Sequence, residues 1–291
     1  MRTTSAASIC AALVAATAAL GVRAQSSSSP LLAVERTECF TTSFGNAGNT
    51  HQSPPFAAAV APARAVLQCS RSTNGTAPKS TLVTAQLRTS HVTFQRRAGG
   101  CVHTIRCCVV QFAASAGVSV THGAHTHPQQ TSSHSVTTAN AFDAAHAFVL
   151  TTMRSDGANI FDGNDFTTVE LLAPSRIRFE LSQLPPINFA HPHRYQLVAL
   201  GAQHADVQHV KRVVTNFGTS HDIALPAAVA PQRTMLLGSY SLSQITGAPR
   251  HALVSLELLD DGATVRAQRY ATSVTNLTLA LQLVQFTAAS G

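Results

Sequence analysis

The chain has 291 residues, with 20 Lys and Arg against 13 Asp and Glu, 14 His, 6 Cys, 13 Phe, 3 Tyr and no Trp. The formal charge of +7 is mild, and a nucleic-acid groove has little support, because no basic cluster is denser than Arg96-Arg97 or Lys211-Arg212 and no aromatics interleave with them for base stacking. So few acids leave little material for a glycosidase carboxylate pair.

In chain order, Met1-Arg2, an apolar stretch through Ile9–Ala16 and an A-x-A-like ending at Val22-Arg23-Ala24 predict a secretory signal peptide over 1–24. Residues 25–32, opening on a serine run, read as a flexible leader. No later segment has the length and apolarity of a membrane span. The expected location is secreted or cell-surface, or periplasmic in a bacterium. Cys10 leaves with the signal. Cys39, Cys69, Cys101, Cys107 and Cys108 all lie in the next 90 or so residues, where an oxidising compartment predicts two disulfides and one cysteine left over. Their connectivity stays open. Neighbouring Cys107 and Cys108 on a strand point to opposite faces. There is no C-x-x-C pair to hold zinc.

Beyond the leader the chain repeats itself three times. Strand-like hexamers begin at Cys107, Tyr195 and Leu281, which are 88 and 86 residues apart. Upstream of them lie Leu82–Leu87, Thr167–Leu172 and Leu253–Leu258, and earlier still Ala65–Arg71, Phe148–Arg154 and Thr234–Tyr240. Strand-like openings sit around Val34, Val118 and Val207. A repeat this long is a whole folding unit, not a solenoid turn. Alternation is clearest at Arg176–Leu181, where Ile177, Phe179 and Leu181 face one way and Arg176, Arg178 and Glu180 the other. Turn signals such as Asn74-Gly75, Gly99-Gly100 and Asp260-Asp261-Gly262 divide the runs, and no long helical pattern appears. The expected fold is all-β: three tandem antiparallel β-sandwich units of about 86 residues, over 33–115, 116–203 and 204–291.

Histidine is the conspicuous chemical residue. His122, His125, His127 and His134 cluster in one tract, followed by His191-Pro192-His193, His204 and His209. On an extended strand His125 and His127 share a face, and His134 completes a candidate zinc or copper site. No acid lies between Gly117 and Asp143 to orient such ligands, and surface-loop histidines are the commoner outcome of such a tract. The loop Asp156–Asn159 with Asp162–Asp165 is rich in oxygen ligands but lacks the ordered spacing of a calcium loop, so it reads as a turn. No catalytic residues are assigned. There is no G-x-S-x-G elbow and no H-E-x-x-H helix, and Ser220-His221-Asp222 are neighbours where a triad needs separate elements.

The order of landmarks in the third unit, from Val207–Val210 through Met235–Leu242 to the closing run Leu279–Phe286, resembles the H-type lectin domain. That resemblance implies a six-stranded antiparallel sandwich, a glycan-binding activity and threefold assembly, which three linked units would imitate within one chain. The aromatic that family places in its closing strand is absent here, where Gln282–Val284 stand, and no sugar-contacting residues carry over. The expected function is a non-enzymatic binding or adhesion protein with glycans as partners. Two alternatives stay open: a structural subunit of an extracellular filament, sheath or coat, assembling through self-association, and an extracytoplasmic metal-binding protein built on the His125 region.

Overall fold

The computed structural model describes residues 32–128, 130–155, 161–162, 165–184, 191–243, 246–247, 253–270 and 275–287. The signal peptide, most of the leader and most of the acidic loop lie outside them. The alternation seen at Arg176–Leu181 recurs in strand after strand, because each buries one face and wets the other. The first set comprises β1 (Val34–Phe44), β2 (Thr50–Gln52), β3 (Ala65–Thr73), β4 (Thr84–Leu87), β5 (Val92–Gln95) and β6 (His103–Phe112). The second comprises β7 (Ser119–His127), β8 (Ser133–Thr137), β9 (Ala147–Met153), β10 (Phe161–Asp162), β11 (Thr167–Leu172), β12 (Arg176–Leu181) and β13 (His191–Ala199). The third comprises β14 (Ala205–Phe217), β15 (Ser220–Ala224), β16 (Thr234–Leu242), β17 (Thr246–Gly247), β18 (Val254–Leu258), β19 (Thr264–Arg269) and β20 (Thr275–Phe286).

Each set forms two three-stranded antiparallel sheets, and the strand order is the same in all three. The larger sheets run β1-β6-β3, β7-β13-β9 and β14-β20-β16. Their smaller partners run β2-β5-β4, β8-β12-β11 and β15-β19-β18. The short strands β10 and β17 pair with each other across the second and third sets. The protein is therefore an all-β sandwich protein with six small three-stranded antiparallel sheets among the described residues. Among the described residues no helix is long and apolar enough to cross a membrane.

Apolar faces of paired sheets meet in cores such as Phe44, Val92, Phe94 and Ile105 in the first set, and Val149, Val169, Ile177 and Phe179 in the second. The closing strands β6, β13 and β20 are central in their sheets, and near their C-terminal ends a second face is buried as well. That face enters a shared cluster built from equivalent cross-strand pairs: Val66 with Val110, Phe148 with Val198, and Met235 with Val284. Burial at roughly 25 cal/mol per Å² makes this junction, and not a linker, what holds the three sets together.

Register corrects one alignment made from the letters. Ala65 pairs with Gln111 and Thr234 with Gln285, so their counterpart, opposite Ala199, is Ala147 and not Phe148. A one-residue slip turns a strand inside out, and only the structural register puts Phe148 into the shared core beside Val66 and Met235. The counterpart of Arg71 and Tyr240 is thus Met153, not Arg154.

Side chains from each closing strand also stitch the sets. Gln196 on β13 accepts from the Leu67 N–H at 2.7 Å and donates to the Leu67 carbonyl at 2.8 Å, while His122, opposite it on β7, donates to the carbonyls of Pro62 and Ala65. The third set repeats this on the second: Gln282 bonds to Val149, and His209 donates to the carbonyls of Ala144 and Ala147. The equivalent pair in the first set is Cys39 and Cys108, which form a disulfide. Among the described residues no hydrogen bond or ion pair joins the first set to the third.

The second disulfide joins Cys69 to Cys107, so both flanking strands, β1 and β3, are tied to β6. Cys107 is buried and Cys108 half-buried, as strand alternation requires. Cys101 is the free cysteine; its buried thiol donates to the Ser80 carbonyl at 3.0 Å.

Candidate functional site

The predicted histidine tract lies inside the second sandwich, not on a surface loop. His125 and His127 alternate inward on β7 and stand directly opposite His193 and His191 on β13. His134 reaches in from β8 on the facing sheet. The His125 ring stacks on His134 at 4.8 Å between centroids, lies 6.0 Å from His193 and meets His127 edge-on at 6.1 Å. Phe179 packs 4.7 Å from His125 and 5.0 Å from His193.

Burial sets the protonation of this cluster. Desolvation, reinforced by neighbouring His134 and His127, lowers the His125 pKa to about 4. Desolvation first and His127 second bring His191 to about 4 as well, and His193 falls well below the ordinary range for the same reason. All three are therefore neutral at pH 7. His127 uses Nε2 on the Thr131 carbonyl at 2.8 Å. Nitrogens of His125, His134, His191 and His193 find no hydrogen-bond partner. The structure brings His125, His127 and His134 together, yet the rings stack instead of converging. No group of three or more His, Cys, Asp or Glu among the described residues is arranged to hold an ion.

The sequence grouped His191 and His193 apart from this tract, because the pairing of β13 with β7 is a long-range fact. Their shared i, i+2 spacing was the available signal. The same end of the other sandwiches is plugged differently. In the first set Phe44, in the place of His127, packs 4.2 Å under the Arg96 guanidinium, which donates to the carbonyls of Gly45, Gly48 and Cys101. In the third, Arg269 lies over Phe217 and donates to the Phe217 and Gly218 carbonyls. The imidazoles thus fill a structural position that aromatic and arginine side chains fill elsewhere.

A different site forms where the three sets meet. A cavity of about 310 Å³ is lined by equivalent segments of β3, β9 and β16, including Arg71, Met153 and Tyr240, and by Asp165, Phe166 and Leu253. Arg71 and Leu253 keep solvent-accessible surface. Arg71 is exposed, so the chamber opens to solvent at this end. Desolvation lowers its pKa to about 10, which leaves it charged at neutral pH. Its Nη1 donates to the Val83 carbonyl at a long 3.4 Å, and it takes part in none of the ion pairs among the described residues.

Tyr240 stacks on Phe166 with centroids 5.2 Å apart. Its hydroxyl accepts from the Val254 N–H at 3.2 Å, leaving its own proton to donate. Burial pushes its pKa up to about 12, so that proton is retained. Ser239 and Thr152 also line the chamber and accept from the N–H groups of Val169 and Ala85. The arrangement can hold a small polar molecule with an apolar flank: a cation and hydroxyl groups on one side and an aromatic pair on the other. Arg71 and Tyr240 closed the same ladder in the sequence, but their convergence depends on how the sets pack.

The string Ser220-His221-Asp222 lies exposed on β15, with Asp222 turned to a bidentate pair with Arg266 at 2.7 and 2.9 Å. It does not converge on another element. Compared with known proteins, the chain matches no protein-family model, and no curated protein matches it.

Proposed function

We propose that this chain is a secreted or cell-surface, non-enzymatic binding protein that takes a glycan residue in the chamber where its three sheet pairs meet. The observation that carries the proposal is the convergence of Arg71 and the Phe166–Tyr240 pair on one cavity of about 310 Å³. Sugar sites combine an aromatic face with convergent donors and acceptors, and this cavity lies at the lower end of the roughly 300–1,000 Å³ of small-ligand pockets. The two disulfides support a location in an oxidising compartment. Glycan-array screening followed by calorimetry on the mature protein tests the reading. Binding that falls at least about tenfold in Tyr240→Ala supports it. Retention of full affinity in that variant, or no binding to any glycan, overturns it.

A second reading, a structural subunit that self-associates, draws support from the lack, among the described residues, of hydrogen bonds or ion pairs between the first and third sets. Concentration-dependent polymerisation in electron micrographs favours it. A monodisperse monomer in light scattering at high concentration rejects it.

A further inference from the structure

We infer that His125, His127, His134 and His193 form a latent site for a zinc-type divalent ion inside the second sandwich, completed when their rings turn to converge. The inference is independent of the glycan chamber, which none of the four lines. It begins from the contrast between the three sandwich ends. In the first and third, Arg96 and Arg269 lie over Phe44 and Phe217 and donate to backbone carbonyls. In the second, the imidazoles leave polar atoms over: His125 Nε2, His127 Nδ1, His134 Nδ1 and His193 Nε2 are all buried with no hydrogen-bond partner. His125, His127 and His193 are themselves at least nine-tenths buried. Space alone would be filled better by phenylalanine, because each orphaned nitrogen carries an uncompensated desolvation cost.

Four such nitrogens, one from each ring, are what a tetrahedral ion takes. Two imidazoles on one tetrahedral ion, with metal–nitrogen bonds of about 2.0–2.1 Å, hold their centroids about 5 Å apart. Around His125 the separations are 4.8 Å to His134, 6.0 Å to His193 and 6.1 Å to His127. The stacked rings therefore need little more than a turn. Rotation about Cβ–Cγ spins an imidazole about an axis through its own centroid, and that torsion is soft, so the planes can converge with centroid shifts of about 1 Å. The strands supply the rest: His125 and His127 share the inward face of β7, His193 stands opposite His125 on β13, and His134 reaches in from β8. His127 Nε2 donates to the Thr131 carbonyl at 2.8 Å, so it carries the proton and Nδ1 keeps its lone pair. Metal-bound histidines are oriented by such a bond from the other ring nitrogen, and here a carbonyl does what no acid in the tract can. Burial keeps the rings of His125, His127 and His193 neutral, the form that binds metal. Half-exposed Thr131 and His134 mark the way in. Imidazole donors suit zinc, whereas magnesium and calcium require oxygen.

The test is calorimetric titration of the untagged, chelator-treated mature chain with zinc alone, repeated with cobalt(II) and followed by visible absorption. The expected result is one equivalent bound per chain, with the intense absorption of tetrahedral cobalt in place of the faint colour of the octahedral hydrated ion. His127→Phe installs the side chain that Phe44 supplies at the same place in the first set. It should weaken zinc binding at least about 100-fold, more than the loss of a supporting contact costs, with circular dichroism unchanged. His221→Ala, on exposed β15, should change nothing. Absence of zinc binding, an octahedral cobalt spectrum, or full affinity in His127→Phe overturns the inference. Loss of binding in His221→Ala also overturns it, by assigning the ion to the surface. Should His127→Phe not fold, His134→Gln decides, since His134 is half-exposed on the facing sheet: unchanged zinc affinity there refutes the four-histidine site.

Discussion

Gln282 on β20 closes a two-bond ring with the backbone of Val149 on β9, accepting from its N–H at 2.7 Å and donating to its carbonyl at 2.9 Å. Because β9 is an edge strand of its sheet, those two groups have no strand to pair with on that side. One side-chain amide does the work of a fourth strand. Gln196 does the same for Leu67, and the place where a third glutamine would stand is Cys108, drawn into a disulfide with Cys39. Two of the three seams are therefore stitched by a Gln and a His, and the third is not.

Gln282→Leu keeps the volume and removes the amide, orphaning a buried N–H and a buried carbonyl on Val149. The expected cost is about 1–3 kcal/mol for each orphaned group, read as a shift in the urea midpoint at constant slope. Gln196→Leu should cost less, because Gln196 is only half-buried and water can replace it. A loss under about 0.5 kcal/mol for Gln282→Leu would show that the seam does not depend on the amide.

Acid should destabilise the second sandwich through its imidazoles. Unfolded histidines protonate near pH 6.5, whereas buried His125 and His191 resist protonation until about pH 4. The unfolded chain thus binds more protons across that window. Stability is complete above pH 6.5 and falls as pH drops towards 4, by up to about 1.4 kcal/mol per pH unit for each histidine. Charge on His134 or His127 opposes charge on His125, and charge on His127 opposes charge on His191, which keeps the contributions from adding fully. Melting temperatures recorded from pH 7.5 to 4 check this, and His125→Phe should flatten the slope. An unaltered slope in that variant would remove His125 from the account.

Non-reducing peptide mapping should recover Cys39 linked to Cys108 and Cys69 to Cys107, with Cys101 alkylated only after denaturation, because its thiol is buried. Replacing Cys69 and Cys107 by alanine closes no loop between β3 and β6 and should cost about 2–4 kcal/mol. Recovery of Cys101 in any bridge would contradict this pairing.

Arg96→Lys should destabilise the first sandwich although the charge is kept. The guanidinium fans out to the carbonyls of Gly45, Gly48 and Cys101 while lying on the Phe44 ring, and an ammonium cannot span them all. A loss of about 1.5–3 kcal/mol in chemical denaturation is expected, the value of one or two hydrogen bonds to a charged group. Near-neutral behaviour would mean that water enters and replaces the fork.

The strands were legible because they are written locally. Alternation at Ile177, Phe179 and Leu181 states which face is buried, and the turn residues state where each run ends. The five cysteines likewise foretold two bridges and a remainder. The histidines were misjudged as surface residues for a physical reason: a neutral imidazole is a half-apolar ring, and composition cannot say whether its neighbours are water or Phe179. Nor could the sequence place Arg71, since nothing in Ala65–Arg71 records what lies across the junction.

By itself, then, the sequence determined the all-β class and the supply of cysteines, both properties of segments a few residues long. The tertiary structure alone decided the register of Ala147 against Ala65, the partners of Gln196 and Gln282, the burial of the His125 cluster and the chamber around Arg71. Each of those depends on strands more than 30 residues apart coming together. Long-range pairing is chosen by the summed burial of whole faces, and no single stretch of sequence carries that sum.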